Sequence, residues 1–250
     1  MKIRSRLKEL IRRFGYAVFT ADAGARVYDS DALMTVHDHS FLEDPAFKRA
    51  YARGVRAAAG DDYGWYWRVH IGLWAAATAV RLEGDFVECG VNRGFMSSAI
   101  MESLDWDRTG KTFYLLDTFG GLPSFESKEE FERNRRHIEE GFYVTNIDEV
   151  KANFAQWSNI RLIQGAVPET LAAIGLGPLA FLHLDMNAPQ PEVAALETLW
   201  DRLTKGAIVL LDDYAYNGFE EQKRAMESAA GRMNISIASL PTGQGLIVKT

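Results

Sequence analysis

One cysteine, Cys89, in a chain of 250 residues leaves no partner for an internal disulfide and suits a reducing cytoplasm. No run of eighteen apolar residues occurs, so no transmembrane span is expected. The start, MKIRSRLKELIRRFGYAVF, puts charges where a signal peptide needs its apolar core, and it is not read as one. Internal repeats and low-complexity tracts are missing. Positive charge is in deficit: 28 Lys and Arg stand against 34 Asp and Glu, a net charge of −6 that excludes a nucleic-acid polyelectrolyte. What remains is 47% hydrophobic and 25% charged, enough for one full domain plus appendages.

The scarce positive charge is concentrated. Residues 1–13 hold Lys2, Arg4, Arg6, Lys8, Arg12 and Arg13 against Glu9, and Ile3, Leu7, Leu10, Ile11 and Phe14 recur at helical spacing. The pattern predicts a basic amphipathic helix over 1–14, either packed on the domain or docking weakly on a membrane surface or partner. Residues 20–45 read as an irregular connector, in which His37, Asp38 and His39 are a solvated run or a metal site. Residues 45–59 and 65–82 read as helices. The expected organisation is an N-terminal helical extension over 1–60 and a main domain over 61–250.

From residue 85 onward short apolar runs alternate with helical stretches. DFVECG, KTFYLLDTF, NIRLIQG, LAFLHLDMN and AIVLLDDY are the strands, and FMSSAIMESL, DEVKANFAQW, PEVAALETLWDRL and EEQKRAMESAAG the helices. This predicts an α/β fold, a doubly wound parallel sheet covered on both faces. ISIASL and GLIVKT are separated only by PTGQ, too short for a parallel crossover, so they close the sheet as an antiparallel hairpin. In such a sheet ligands bind at the carboxyl ends of the strands. Glu88-Cys89-Gly90-Val91-Asn92-Arg93-Gly94 is a Gly-containing strand-to-helix turn, though not G-x-G-x-x-G, because Val91 and Asn92 fall where the second glycine would be. Asp117 ends the second strand, where an acid can take the ribose hydroxyls of a nucleoside or cap a turn. Asp185, Asp212 and Asp213 end two more strands and would repel one another unless a cation or protons sat among them.

DFVECGVNRG, YLLDTFGGLP, FLHLDMN and GAIVLLDDY, in this order and spacing, resemble the macrocin-type S-adenosylmethionine-dependent sugar O-methyltransferases, over about residues 64–250. The resemblance implies a class I methyltransferase, Rossmann-like sheet. It implies that Glu88, Gly90, Val91, Asn92, Arg93 and Gly94 lie against the methionine part of the cofactor. Asp117 would hold the ribose, Thr118 and Phe119 the adenosine, and Gly165 and Ala166 the adenine, with Asp185 at the cofactor's acceptor side. It also implies that Asp185, Asp212 and Asp213 hold a divalent cation, for which Mg²⁺ suits an oxygen ligand set. Such an ion would lower the pKa of a chelated sugar hydroxyl.

In several members of the family it resembles, the residue two after the first metal aspartate is a second acid, proposed as the general base; here that place holds Asn187, which accepts no proton at neutral pH. The expected role of Asn187 is hydrogen bonding to the acceptor. His183, His70, Tyr214 and Tyr216 become candidates for the base, as does water. The charged insertion over 124–146 reads as a lid or a solvated helix, with Arg133, Arg135, Arg136 and His137 able to meet an anionic acceptor such as a sugar nucleotide. Trp67, Arg68 and His70 are either core residues or lining of the cofactor mouth. The function expected is methyl transfer from S-adenosylmethionine to a hydroxyl of a sugar or glycan precursor, by a cytoplasmic protein at most peripheral to the membrane, with homo-oligomers open. Methylation of another small molecule at O or N, or a non-catalytic cofactor-binding role in a glycan-assembly complex, are the alternatives.

Overall fold

A computed structural model describes residues 26–121 and 128–250, without the side chains of residues 129 and 130. The basic segment 1–14 and residues 124–127 of the insertion lie outside them. The chain divides into two units, Met1–His39 and Ser40–Thr250. The division falls between His39 and Ser40. The helix of residues 45–57 packs on the sheet-bearing unit, where Tyr51 meets Phe95 with ring centroids 5.4 Å apart.

In the first unit β1 (Tyr28–Ser30) pairs antiparallel with β2 (Leu33–Thr35). The sequence reading had only a connector here. The turn is Asp31-Ala32, left-handed at both residues (φ 50° and 58°). That is the backbone of a two-residue hairpin without the Asn-Gly or Asp-Gly that normally announces it. His39 faces the His37 carbonyl at 2.9 Å through Nδ1, and the run makes no three-ligand cluster among the described residues.

The second unit is built on a seven-stranded sheet. Its strands are β3 (Asp85–Cys89), β4 (Phe113–Asp117), β5 (Ile160–Gln164), β6 (Leu179–Leu184), β7 (Leu203–Leu211), β8 (Ala238–Ser239) and β9 (Gly245–Val248). Their spatial order is β5-β4-β3-β6-β7-β9-β8. The first five are parallel, and β9 and β8 close the edge antiparallel, as the short PTGQ turn requires. Helices α1 (Pro45–Ala57), α2 (Tyr66–Ala79), α3 (Phe95–Leu104), α4 (Lys128–Glu139), α5 (Ile147–Phe154), α6 (Glu169–Ala173), α7 (Pro189–Leu199) and α8 (Glu220–Met233) accompany it. No helix among the described residues is long and apolar enough to cross a membrane.

Period-two alternation divides each strand between two cores. Phe86 and Phe181 join Trp106, Phe113 and Ile100 on one face. Val87, Cys89, Leu182 and Leu184 join Leu196 and Leu199 on the other. Glu88 and His183 share the parity of Phe86 and Phe181, and the β3–β6 register sets Glu88 directly beside His183. Two polar side chains thus meet inside the sheet, at its carboxyl end, because of strand pairing alone.

Candidate active site

A cavity of about 260 Å³ opens at the carboxyl ends of β3, β4, β6 and β7. Glu88, Asp117, His183, Asp185, Asp212 and Asp213 all contribute to its wall. Tyr63, Trp65, Phe95 and Phe142 form an aromatic side, with Tyr63 4.4 Å from Trp65 and 5.5 Å from Phe142 between ring centroids.

At one end stands Asp117. Its Oδ2 accepts from the backbone N–H of Val91 and of Asn92, both at 2.8 Å, and its Oδ1 accepts from Phe119 N–H at 2.8 Å. The carboxylate therefore ties the β3–α3 turn to the end of β4. The Thr118 hydroxyl also lies 3.5 Å from Oδ1 but gives its hydrogen to Gly121 C=O at 2.6 Å, so of about four lone-pair sites on the carboxylate one is left for another donor. The turn glycines serve the protein's own packing. A Cβ on Gly90 (φ 91°) would strike the Asp185 carbonyl oxygen, and one on Gly94 (φ 83°) the Phe154 ring. Gly94 does not line the cavity. Phe119 does not either: the chain turns through a left-handed residue there (φ 48°), and the ring is buried in the core.

Asn92 and Arg93, expected at the cofactor, line the cavity and also bind a second segment of the chain. The Asn92 amide donates to Phe142 C=O and accepts from Val144 N–H, each at 2.9 Å. Arg93 pairs with Glu149 at 3.0 Å and donates to Gly141 C=O at 3.3 Å. Together they fasten the segment after α4 across the cavity, and His137, Phe142, Tyr143 and Val144 line it from that side. The charged insertion hid this strap, since its anchors lie some fifty residues earlier in the chain.

The other end is a buried chain of charges. Glu88 Oε1 lies 2.8 Å from His183 Nδ1. His183 Nε2 faces Asp212 Oδ1 at 3.7 Å, too far for a hydrogen bond. Asp212 Oδ2 is paired with Arg68 Nη1, and Asp213 Oδ1 with Arg68 Nη2 at 3.1 Å. Gln244 Nε2 donates to Asp212 Oδ1 at 2.9 Å and is itself held by Thr242. Burial alone would lower the His183 pKa, but the facing carboxylates of Asp212 and Glu88 outweigh it and raise it. Burial alone would raise the Asp212 carboxyl, but the Arg68 guanidinium and His183 bring it below the usual range. Among the described residues Asp185 has no such cation in contact; burial, then the charges of Asp212 and Asp213, push its carboxyl well up.

Of the base candidates, only His183 and Tyr216 line the cavity. His70 stacks on Phe41 with centroids 4.1 Å apart, and the Tyr214 hydroxyl donates to Glu227 at 3.2 Å. Asn187 lines the cavity in a left-handed conformation (φ 58°), which asparagine tolerates better than most residues. Thr118, Gly165 and Ala166 lie on the cavity wall. Tyr143 was not expected, and Arg68 was expected only at the mouth, since neither carries a motif.

Comparison with known proteins agrees with this architecture. The solved structure of the O-methyltransferase NovP superposes with a TM-score of 0.67 at 19% identity, over 85% of this chain and 100% of that one. CalS11, a calicheamicin methyltransferase, gives 0.55 at 16%, over 93% and 98%. Both show the class I methyltransferase fold. In sequence, a Streptomyces olivaceus 8-demethyl-8-(2,3-dimethoxy-alpha-L-rhamnosyl)-tetracenomycin-C 4'-O-methyltransferase is 31% identical over 163 residues, 61% of this chain and 60% of that protein. The demethyldecarbamoylnovobiocin O-methyltransferase of Streptomyces niveus is 26% identical over 141 residues, 52% of this chain and 53% of its own. The chain thus spans little more than half the length of these relatives. The macrocin-O-methyltransferase (TylF) model matches residues 73–235, the segment that runs from α2 through α8 and holds the strand ends of the cavity, and the chain belongs to that family.

Proposed function

We propose that this protein transfers the methyl group of S-adenosylmethionine to a hydroxyl of a sugar or sugar-bearing small molecule. The observation that carries the reading is Glu88 Oε2, a buried carboxylate oxygen on the wall of the strand-end cavity with no hydrogen-bond partner among the described residues. An unsatisfied buried acceptor is costly unless a ligand donor completes it. The ammonium of a methionine moiety is such a donor. The remaining acceptor capacity of Asp117 suits a ribose hydroxyl, and Gly165 and Ala166 leave room beside the base. Bound there, the cofactor supplies an electrophilic methyl group on its sulfonium.

The aromatic wall and the strap keep water from the transfer. Asp185, exposed to the cavity, takes the acceptor's hydroxyl proton. Burial and the charges of Asp212 and Asp213 push that carboxyl up, and when ionised it is a stronger proton acceptor than an ordinary carboxylate. Asn187 orients the same hydroxyl by hydrogen bonds. His183 is fixed through Nδ1 by Glu88 and sets the charge beside Asp185.

Arg133 supports an acceptor with a negative group, such as a sugar nucleotide. Its guanidinium lies 4.6 Å over the ring of Phe219, a cavity residue. Arg135, by contrast, is occupied by Glu132 and Glu139. The expected Mg²⁺ meets a misfit. Two of its three carboxylates already hold Arg68, and the ligand atoms that do converge within 4.8 Å are those of His183, Asp185 and Asp212, without Asp213.

The test is product formation. Purified protein with S-adenosylmethionine and a panel of sugar nucleotides and glycosylated acceptors should yield S-adenosylhomocysteine with a methylated sugar. Tight binding of S-adenosylhomocysteine without turnover on any acceptor would favour the non-catalytic alternative. No binding would reject the reading.

A further inference from the structure

We infer that Arg68 is the resident cation of the acid cluster, its guanidinium standing at Asp212 and Asp213 where the family resemblance puts a divalent metal. The inference deepens the methyl-transfer reading of the same cavity and concerns what neutralises its acids.

Four observations carry it. One guanidinium reaches both carboxylates, with Nη1 on Asp212 and Nη2 3.1 Å from Asp213, and the three side chains are 5%, 9% and 9% exposed. The same guanidinium lies 4.4 Å over the Tyr216 ring and 5.8 Å from that of Trp65, so it is clamped from its faces as well as its edge. Asp212 has its other oxygen on Gln244 Nε2, at 2.9 Å. Both oxygens of Asp212 thus meet nitrogen donors, which compete with a metal for the same lone pairs. Finally, Asn187 is neutral where the resemblance puts a further acid, so less negative charge is left for an ion to balance.

The chemistry of arginine decides the competition. A guanidinium does not lose its proton in a protein, so an incoming ion must push a permanent charge off two carboxylates and leave it buried. Breaking a buried pair in this way is strongly unfavourable. The family match begins at residue 73 and ends at 235, so Arg68 and Gln244 both come from outside the matched segment.

The probe is Mn²⁺ alone, followed by calorimetry and by the electron paramagnetic resonance of free and bound ion. Wild-type protein should show no Mn²⁺ site at the cluster tighter than about 1 mM, the weak end of oxygen-ligand sites. Arg68→Met should gain one Mn²⁺ per chain, at least about tenfold tighter, and Asp213→Asn added to it should remove the gain. A wild-type site that Asp213→Asn abolishes would overturn the inference. So would a folded Arg68→Met variant that gains no site. A wild-type site that survives both Asp212→Asn and Asp213→Asn lies elsewhere and leaves these carboxylates to Arg68. Should Arg68→Met fail to fold, the wild-type and Asp213→Asn titrations decide alone. S-adenosylhomocysteine binding in the same samples tests the methyl-transfer reading separately, since its loss would leave the Mn²⁺ result standing.

Discussion

The two ends of the cavity treat a strand-end aspartate in opposite ways. Asp117 is satisfied by backbone N–H groups of nearby turns, two from the β3–α3 turn and one from two residues ahead. Asp212 and Asp213 are satisfied by a cationic side chain 144 and 145 residues away in sequence. Backbone dipoles hold a carboxylate without adding a net charge, and so leave Asp117 with capacity for a neutral hydroxyl. A guanidinium cancels charge outright. The two ends are thereby suited to different partners, one to a hydroxyl donor and the other to a place where a proton is moved between charges.

The largest effect is expected between them, at Asp185. Asp185→Asn should lower turnover at least about a thousandfold while S-adenosylhomocysteine affinity stays within about threefold, because only the proton acceptor is lost. Near-normal turnover would give the base to another group and dissolve the division into two ends.

Stability separates the ends next. Arg68→Ala leaves two buried carboxylates without their cation and should cost about 3–5 kcal/mol in chemical denaturation. A cost under about 1 kcal/mol would mean that the pairing is incidental to the fold. Asp117→Ala should cost less stability, about 1–3 kcal/mol, since amides near solvent lose an acceptor. It should also weaken cofactor binding by roughly 1.5–3 kcal/mol, measured by calorimetric titration. If cofactor affinity fell for Arg68→Ala and held for Asp117→Ala, the two ends would have been assigned the wrong way round.

Asn187→Ala should reduce turnover about ten- to a hundredfold, the loss of an orienting contact and not of a proton acceptor. A loss as deep as that of Asp185→Asn would place Asn187 in the chemistry itself. The smallest effect is expected for deletion of residues 1–14, where no cofactor motif lies. Cofactor affinity should be unchanged, while sedimentation with anionic vesicles at low salt, if the segment docks on membranes, should disappear. Vesicle binding that persists after deletion would reject the anchor.

Short apolar runs alternating with helical stretches made the sheet legible, and the four-residue PTGQ turn made the edge hairpin legible. The hairpin of residues 28–35 was not, because Asp31-Ala32 adopts the left-handed turn without a glycine to mark it. The strand ends were readable as a site, for acids at apolar termini have few other uses. That Asn92 and Arg93 also fasten a strap was not legible, since a side chain in a turn carries no sign of a partner fifty residues on.

Sequence alone settled which residues end the strands, and therefore that Glu88, Asp117, His183, Asp185, Asp212 and Asp213 gather at one edge of a parallel sheet. Hydrophobic periodicity is a local property, and the chain carries it in its own order. Tertiary structure alone decided what each acid touches. The β3–β6 register put Glu88 against His183, and the packing of α2 beneath the β7 end delivered Arg68 to Asp212 and Asp213. Charge neutralisation is a matter of ångströms between groups remote in sequence, and no spacing along the chain encodes it.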